Sequence, residues 1–253
     1  MNNKVVKNRS GSTVDPFNRD VDVNAGYLYT TGSQLSSRMA NNRLTEAAMA
    51  AVNFRGKRVI DIGCGDGTYT IDLFDRGQPI SICGVDPAQK AIEVARQKSS
   101  DRSITFAVES AYKLPYATNS FDIAHLRGVL HHMDRPVDAI GEALRVAPKI
   151  LIIEPNGYNL ILKLMERLVR YHREHEEKSY ASIKLDRWVR SVGGEVLSRQ
   201  WVGFVPMFCP DQLARLLKRI EPVLENIPLI RTCGCAVYIM VATRRYGIKA
   251  STE

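Results

Sequence analysis

Three glycines at alternate positions, Gly63, Gly65 and Gly67, follow directly on Arg58-Val59-Ile60-Asp61-Ile62, a β-branched run of strand length. Glycines at such a turn let the backbone reverse sharply and leave no side chain between loop and ligand. A helix predicted from Thr68 to about Arg76 would offer unpaired backbone N–H groups where it starts. About twenty residues past the glycines, Asp86 follows a second strand, Ile80 to Val85, where a carboxylate can accept from both hydroxyls of a ribose. Strand, glycine turn, helix, strand and acid together make a nucleotide-binding arrangement.

The loop's details decide which nucleotide. A dinucleotide fingerprint, G-x-G-x-x-G, sets a helix N-terminus onto a pyrophosphate. Counted from Gly63, its last glycine would fall at position 68, which is Thr68; the third glycine stands instead at Gly67. Asp66 also puts a negative charge inside the loop. That charge suits a sulfonium or ammonium better than a pyrophosphate, so the loop leans away from NAD.

These segments resemble class I S-adenosylmethionine-dependent methyltransferases. Val59-Ile60-Asp61-Ile62-Gly63-Cys64-Gly65-Asp66-Gly67-Thr68 is similar to that class's first motif, and Gly84-Val85-Asp86-Pro87-Ala88 to its second. Leu114-Pro115-Tyr116-Ala117-Thr118-Asn119-Ser120-Phe121-Asp122 and Gly128-Val129-Leu130-His131-His132 resemble the type 11 group within it. The four motifs keep their order and spacing over residues 57–154.

The resemblance implies a Rossmann-like fold: a seven-stranded, mostly parallel sheet with helices on both faces and an antiparallel last strand. It implies that Gly63, Cys64, Gly65 and Gly67 approach the methionine and ribose of S-adenosylmethionine, with Asp61 toward the methionyl end. Asp86 would hold the ribose hydroxyls, and Pro87 and Ala88 would flank the adenine. Many relatives carry Asp-Ala at the next adenine contact, where this chain has Ser110-Ala111. Leu126 and Arg127 would line the site near the sulfonium. His131 and His132 are the motif's candidates for a base, since histidine has the pKa for taking a proton from an oxygen or nitrogen nucleophile. Tyr27, Tyr29 and Arg38 stand where relatives often fold a cap over the cofactor.

Beyond the motifs, a helix expected from Asn159 to about Arg170 puts Leu160, Ile161, Leu164, Met165 and Leu168 on one apolar face. A mixed-charge stretch follows, in which His172, His175 and Tyr180 could reach an acceptor by hydrogen bonds. Apolar wall and polar groups together would suit a small-molecule pocket; packing against the helix at Leu213 to Ile220 is the other reading. His172 and His175 could share a helix face, but no acid or cysteine completes a zinc-site spacing, so no metal is expected. Cys233-Gly234-Cys235 is one residue short of a C-x-x-C.

The elements that must position these residues alternate. Strands are expected at 104–108, 121–126 and 150–153, with helices from Ala88 and from Pro136 between them, as in a parallel sheet covered on both faces. After Gly157 the rhythm breaks. Helices are expected over residues 185–192 and from Asp211, with strands at 195–202 and 235–242.

The composition agrees: 253 residues, 45% hydrophobic and 25% charged, exclude a disordered or fibrous chain. A formal charge of +8 is spread without a basic run of five, so RNA is not the expected partner. Five scattered cysteines read as reduced thiols of a cytoplasmic protein. No apolar stretch is long enough to span a bilayer.

We therefore expect a mobile arm at 1–25, one methyltransferase domain at 26–245 and a tail at 246–253, with cap or lid insertions near 26–50, 157–182 and 203–233. The expected activity is methyl transfer from S-adenosylmethionine, leaving S-adenosylhomocysteine, to an oxygen, nitrogen or carbon of a small or carrier-linked molecule. An RNA methyltransferase, a non-catalytic S-adenosylmethionine-binding protein and an NAD(P)-dependent oxidoreductase are the alternatives.

Overall fold

In the computed structural model, the described residues are Val21, Thr30, 34–99, 103–168 and 179–245. The tail, residues 169–178 and the expected arm apart from Val21 lie outside them, and with them Tyr27, Tyr29, His172 and His175.

Among the described residues the chain runs α1 (Leu35–Ala51), β1 (Arg58–Ile62), α2 (Thr68–Gly77), β2 (Ser81–Asp86), α3 (Gln89–Lys98), β3 (Ile104–Val108) and β4 (Ile123–Arg127). A 3-10 turn at Leu130–His132 leads into α4 (Pro136–Val146), β5 (Lys149–Pro155) and α5 (Leu160–Leu168). The remainder is α6 (Ser182–Ser191), β6 (Gly194–Val202), α7 (Asp211–Leu224), α8 (Pro228–Gly234) and β7 (Val237–Arg244). The sequence reading has no helix at 228–234, and it starts the last strand two residues early. Pro228 at a first helical turn supplies the missing signal.

The seven strands lie in the order β3-β2-β1-β4-β5-β7-β6. β1 to β5 pair in parallel, and β7 runs antiparallel to both β5 and β6. This is the Rossmann-like sheet expected from the sequence. Its order reverses between β1 and β4, and such a switch point opens a crevice at the carboxyl ends of the strands.

Strand alternation splits the core in two. Ile60, Ile62, Ala124, Leu126, Ile150 and Ile152 pack with α4 and α6, including Ile140, Leu144, Leu185 and Val189. Val59, Leu151, Ile153 and Val241 point the other way, toward Leu44, Ala47 and Ala48 of α1 and Leu73 of α2. α4 forms where it does because Pro136 suits a first turn and Ala139, Ile140, Ala143 and Leu144 repeat at helical spacing, all of them buried.

The helices after β5 and β6 do not follow the second of the two readings, in which they pack on one another. Leu160, Ile161 and Leu164 of α5 are exposed, as are Leu213, Leu216 and Ile220 of α7, so these two faces do not bury one another. Polar anchors set their orientation instead. Asn159 at the start of α5 donates through Nδ2 to the carbonyls of Gly234 and Cys235 at 3.0 and 3.2 Å. On α7 it is the acidic side that faces the protein. Lys218 donates to Glu221 at 2.8 Å, and Glu221 and Glu225 accept the backbone N–H groups of Phe204 and Gly203 at 2.9 and 2.8 Å.

Candidate cofactor and acceptor site at the carboxyl edge of the sheet

The loop after β1 is held by the neighbouring strand: Gly63 and Cys64 donate their N–H groups to the Val85 carbonyl at 2.7 and 3.1 Å. Gly63, Gly65 and Gly67 all adopt positive φ, at 76°, 55° and 75°. At Gly63 the requirement is steric as well, because a Cβ there would stand 2.3 Å from Val129 Cγ2. The loop from β1 and the segment leaving β4 therefore meet across the switch point with no room for a side chain between them.

Asp86 ends β2 beneath this loop. Its Oδ2 accepts from Gly65 N at 3.0 Å and its Oδ1 from Ala88 N at 2.8 Å. Each oxygen keeps a further lone pair, so the carboxylate can still accept two ligand hydroxyls. Burial pushes the Asp86 pKa up to about 6, against the lowering effect of those two amides. A carboxylate this buried, reached by a turned loop of glycines, has the acceptor chemistry that ribose hydroxyls need. The site fits S-adenosylmethionine on that ground. Pro87 beside it is exposed, while Ala88 is buried against Ala91 and Val21. Ser110 is exposed and accepts from Tyr112 N at 3.4 Å, and Ala111 is packed in the core.

Asp66 corrects one step of the sequence argument. It is 1% exposed and accepts from Lys98 Nζ at 2.9 Å, Thr30 Oγ1 at 2.6 Å and Thr68 N at 3.1 Å. Burial alone would raise its pKa, but Thr30, Lys98 and Thr68 outweigh that and lower it. Its charge is thus matched within the protein rather than offered to a ligand. The position of the third glycine, not Asp66, is what separates this loop from a dinucleotide fingerprint.

Asp61 is held between strands and helix. Its carboxylate pairs with His125 Nδ1 at 2.8 Å and accepts from Thr70 Oγ1 of α2. Two positions along β4, Arg127 leaves the sheet on the same face. Its guanidinium lies 3.7 Å from the centroid of the Tyr69 ring and donates to Thr45 Oγ1 at 3.0 Å and to the Asn41 carbonyl at 3.3 Å. Burial lowers the Arg127 pKa and raises that of Tyr69 to about 12. Leu126, between them, is wholly packed in the core. Cys64 is buried too, and burial holds its thiol neutral by raising the pKa.

Across the crevice, His131 and His132 sit in the 3-10 turn after β4, their rings 3.9 Å apart at 44°. His131 Nδ1 pairs with Glu154 Oε2 at 2.7 Å. The other oxygen of Glu154 accepts Val129 N and Leu130 N at 2.9 and 2.8 Å. Glu154 is 1% exposed, so one buried carboxylate fixes both the turn and the imidazole it carries. Sequence reasoning passed over Glu154 as the end of a strand. Its place at the carboxyl end of β5, next to the strand carrying the histidines, was the available signal.

Tyr180 is half-buried nearby, edge-on to Trp188 with ring centroids 4.7 Å apart. Burial raises its pKa, helped by the charges of Glu154 and Asp134, and its backbone bridges to Asn156, two residues past Glu154. Arg38 is exposed on α1. Among the described residues no cluster of metal-ligating side chains is found.

Comparison with known proteins agrees with this geometry. Residues 60–150 match the family model described as a methyltransferase domain. The chain is 33% identical over 110 residues to an uncharacterized methyltransferase of Schizosaccharomyces pombe, covering 40% of this chain and 37% of that one. It is 28% identical over 152 residues to the 27-O-demethylrifamycin SV methyltransferase of Amycolatopsis mediterranei, covering 56% of each. The chain thus spans about half or less of the length of these relatives. Among solved structures, magnesium protoporphyrin IX methyltransferase of Synechocystis, with bound S-adenosylhomocysteine, superposes with a TM-score of 0.64 at 16% identity, over 92% of this chain and 98% of that one. The glycine loop, Asp86 and the sheet order accord with those matches: residues 60–150 form a methyltransferase domain of the class I S-adenosylmethionine-dependent family.

Proposed function

We propose that the protein transfers a methyl group from S-adenosylmethionine to a small-molecule acceptor. The observation that carries this reading is the close approach, across one switch point, of the glycine loop held by Asp86 to the segment after β4 held by Glu154, with Gly63 against Val129. When bound, the cofactor would supply a methyl group on a positively charged sulfur. The chain's own task is positioning. An in-line displacement needs nucleophile, methyl carbon and leaving group aligned, and holding them so can supply much of the rate.

Asp86 would take the ribose hydroxyls and fix the cofactor's depth. Gly63, Gly65 and Gly67 would let the loop's backbone approach the sugar and methionine, with Cys64 packed behind them. Asp61 would set the methionyl end by way of the Thr70 and His125 network, and Arg127 would brace the helices that close over it. Pro87, Ala88, Ser110 and Ala111 would border the adenine.

With Nδ1 paired to Glu154, His131 would use Nε2 to take the proton of an oxygen or nitrogen nucleophile. Glu154 would then face the imidazolium it helped to form. His132, stacked on His131, is the second candidate. Tyr180 stands where it could orient the acceptor, and segments 157–182 and 203–233 would roof it. The rifamycin methyltransferase among the relatives supports a small molecule with an oxygen nucleophile. Five free cysteines support the cytoplasm as the compartment.

The test is calorimetric titration with S-adenosylhomocysteine, followed by donor turnover against panels of phenols, hydroxyquinones, amines and structured RNA. Transfer to a small phenol or quinol supports the reading. Transfer only to RNA, or cofactor binding without transfer to any class, would replace it.

A further inference from the structure

β6 runs parallel to β1 through β5, so its end at Val202 and the start of β7 at Val237 lie on the same edge of the sheet as the glycine loop. α7 and α8, between those strands, and α5, after β5, therefore stand around the mouth of the candidate site.

α7 is turned the opposite way from a helix that closes a core. Its acidic side is stitched to the protein: Arg43 pairs with Glu225, and Glu221 is 1% exposed. Its apolar residues Leu213, Leu216, Ile220 and Val223 recur at three- and four-residue spacing and form one outward stripe, with Leu216 55% and Val223 64% exposed. The stripe continues through Ile227 into Leu229 of α8, 76% exposed, and buried Asn159 ties the end of α8 to the start of α5. Arg215 and Arg219 flank the stripe, both exposed, and among the described residues neither has an ion pair.

We propose that this surface docks on an anionic lipid bilayer, with the α7 stripe in the acyl boundary and the two arginines at the phosphates. An apolar stripe beside exposed arginines is the pattern of a helix that lies in a membrane interface. No described helix is long and apolar enough to cross a membrane, so the contact is with one leaflet. The charge of the whole chain, +8, acts in the same direction. Docked in this way, the mouth of the site faces the leaflet, which admits an acceptor with a lipid-soluble tail. The docking itself does not depend on the methyl-transfer reading.

Sedimentation with vesicles tests it. The full chain should partition onto vesicles of equal parts phosphatidylglycerol and phosphatidylcholine, and much less onto phosphatidylcholine alone. Leu216→Glu with Ile220→Glu should lower partition about a hundredfold or more. Arg215→Gln with Arg219→Gln should lower it about thirtyfold on the anionic vesicles alone. Both pairs are exposed, so thermal melting serves as the folding control. Absence of partition, or wild-type partition by the glutamate pair, overturns the proposal. So does a dimer by light scattering that the glutamate pair dissociates with no vesicle binding, which assigns the face to a second copy.

Discussion

His131 and Glu154 form a buried pair in which imidazole Nδ1 meets carboxylate Oε2 at 2.7 Å, while Oε1 of the same carboxylate holds the backbone of Val129 and Leu130. One acid from β5 thus determines where the turn after β4 lies and how the imidazole it carries is oriented.

Replacing His131 with alanine should reduce kcat by roughly a hundredfold or more if it is the base. Glu154→Gln keeps a hydrogen-bonding group of the same shape but removes the charge facing the imidazolium. It should reduce kcat by about tenfold, about 1.4 kcal/mol. Acceptor KM and the affinity for S-adenosylhomocysteine should hold, and the acid limb of the pH–rate profile should move. Unchanged kcat and pH profile in Glu154→Gln would reduce the pair to a fastening of the turn.

Gly63 lends itself to a steric test. Gly63→Ala forces an L-residue into φ 76° and sets its Cβ on Val129 Cγ2. We expect a loss of roughly 2 kcal/mol or more by chemical denaturation, with cofactor affinity falling alongside. Adding Val129→Ala removes Cγ2 but keeps a Cβ 2.8 Å from the new one, so it should restore part of the steric loss and leave the backbone part. Additive losses in the double variant would deny that the two residues touch.

The pKa of Asp86, raised to about 6 by burial, gives two pH dependences. The ribose hydroxyls need an ionised acceptor, so affinity for S-adenosylhomocysteine should fall as pH drops below about 6. Stability runs the other way. Between an unfolded value near 3.9 and the folded value, the native carboxyl keeps a proton that the unfolded chain has released. Asp86's contribution therefore declines as pH rises through that window, by an amount of order 2–3 kcal/mol. Asp86→Asn should flatten both trends over pH 4 to 7 in paired binding and unfolding series. An affinity that stays level down to pH 4.5 would place the ligand's hydroxyls elsewhere.

The glycine loop and Asp86 were legible because strand, turn and acid follow one another in the chain, and a local pattern needs no knowledge of what packs against it. The parallel core strands were legible for the same reason. Glu154 was not, because its role exists only once β5 lies beside β4 and brings a residue more than twenty positions away onto His131. Asp66 was misread because its charge is matched by Lys98, which lies on α3 far along the chain. α7 shows the limit most clearly. Its leucine spacing predicts a helix with an apolar face but not which way that face turns, and Arg43, from α1, holds the acidic side inward. Tyr27, Tyr29, His172 and His175 lie outside the described residues and stay expectations.

The most direct measurement of the central claim is calorimetric titration of the wild type and Asp86→Ala with S-adenosylhomocysteine, with NADH run alongside. Losing two charge-assisted hydrogen bonds should weaken S-adenosylhomocysteine binding by about tenfold or more in the variant. NADH should give no heat of binding with either protein. Binding of NADH by the wild type, or S-adenosylhomocysteine affinity unaltered in Asp86→Ala, would contradict the account.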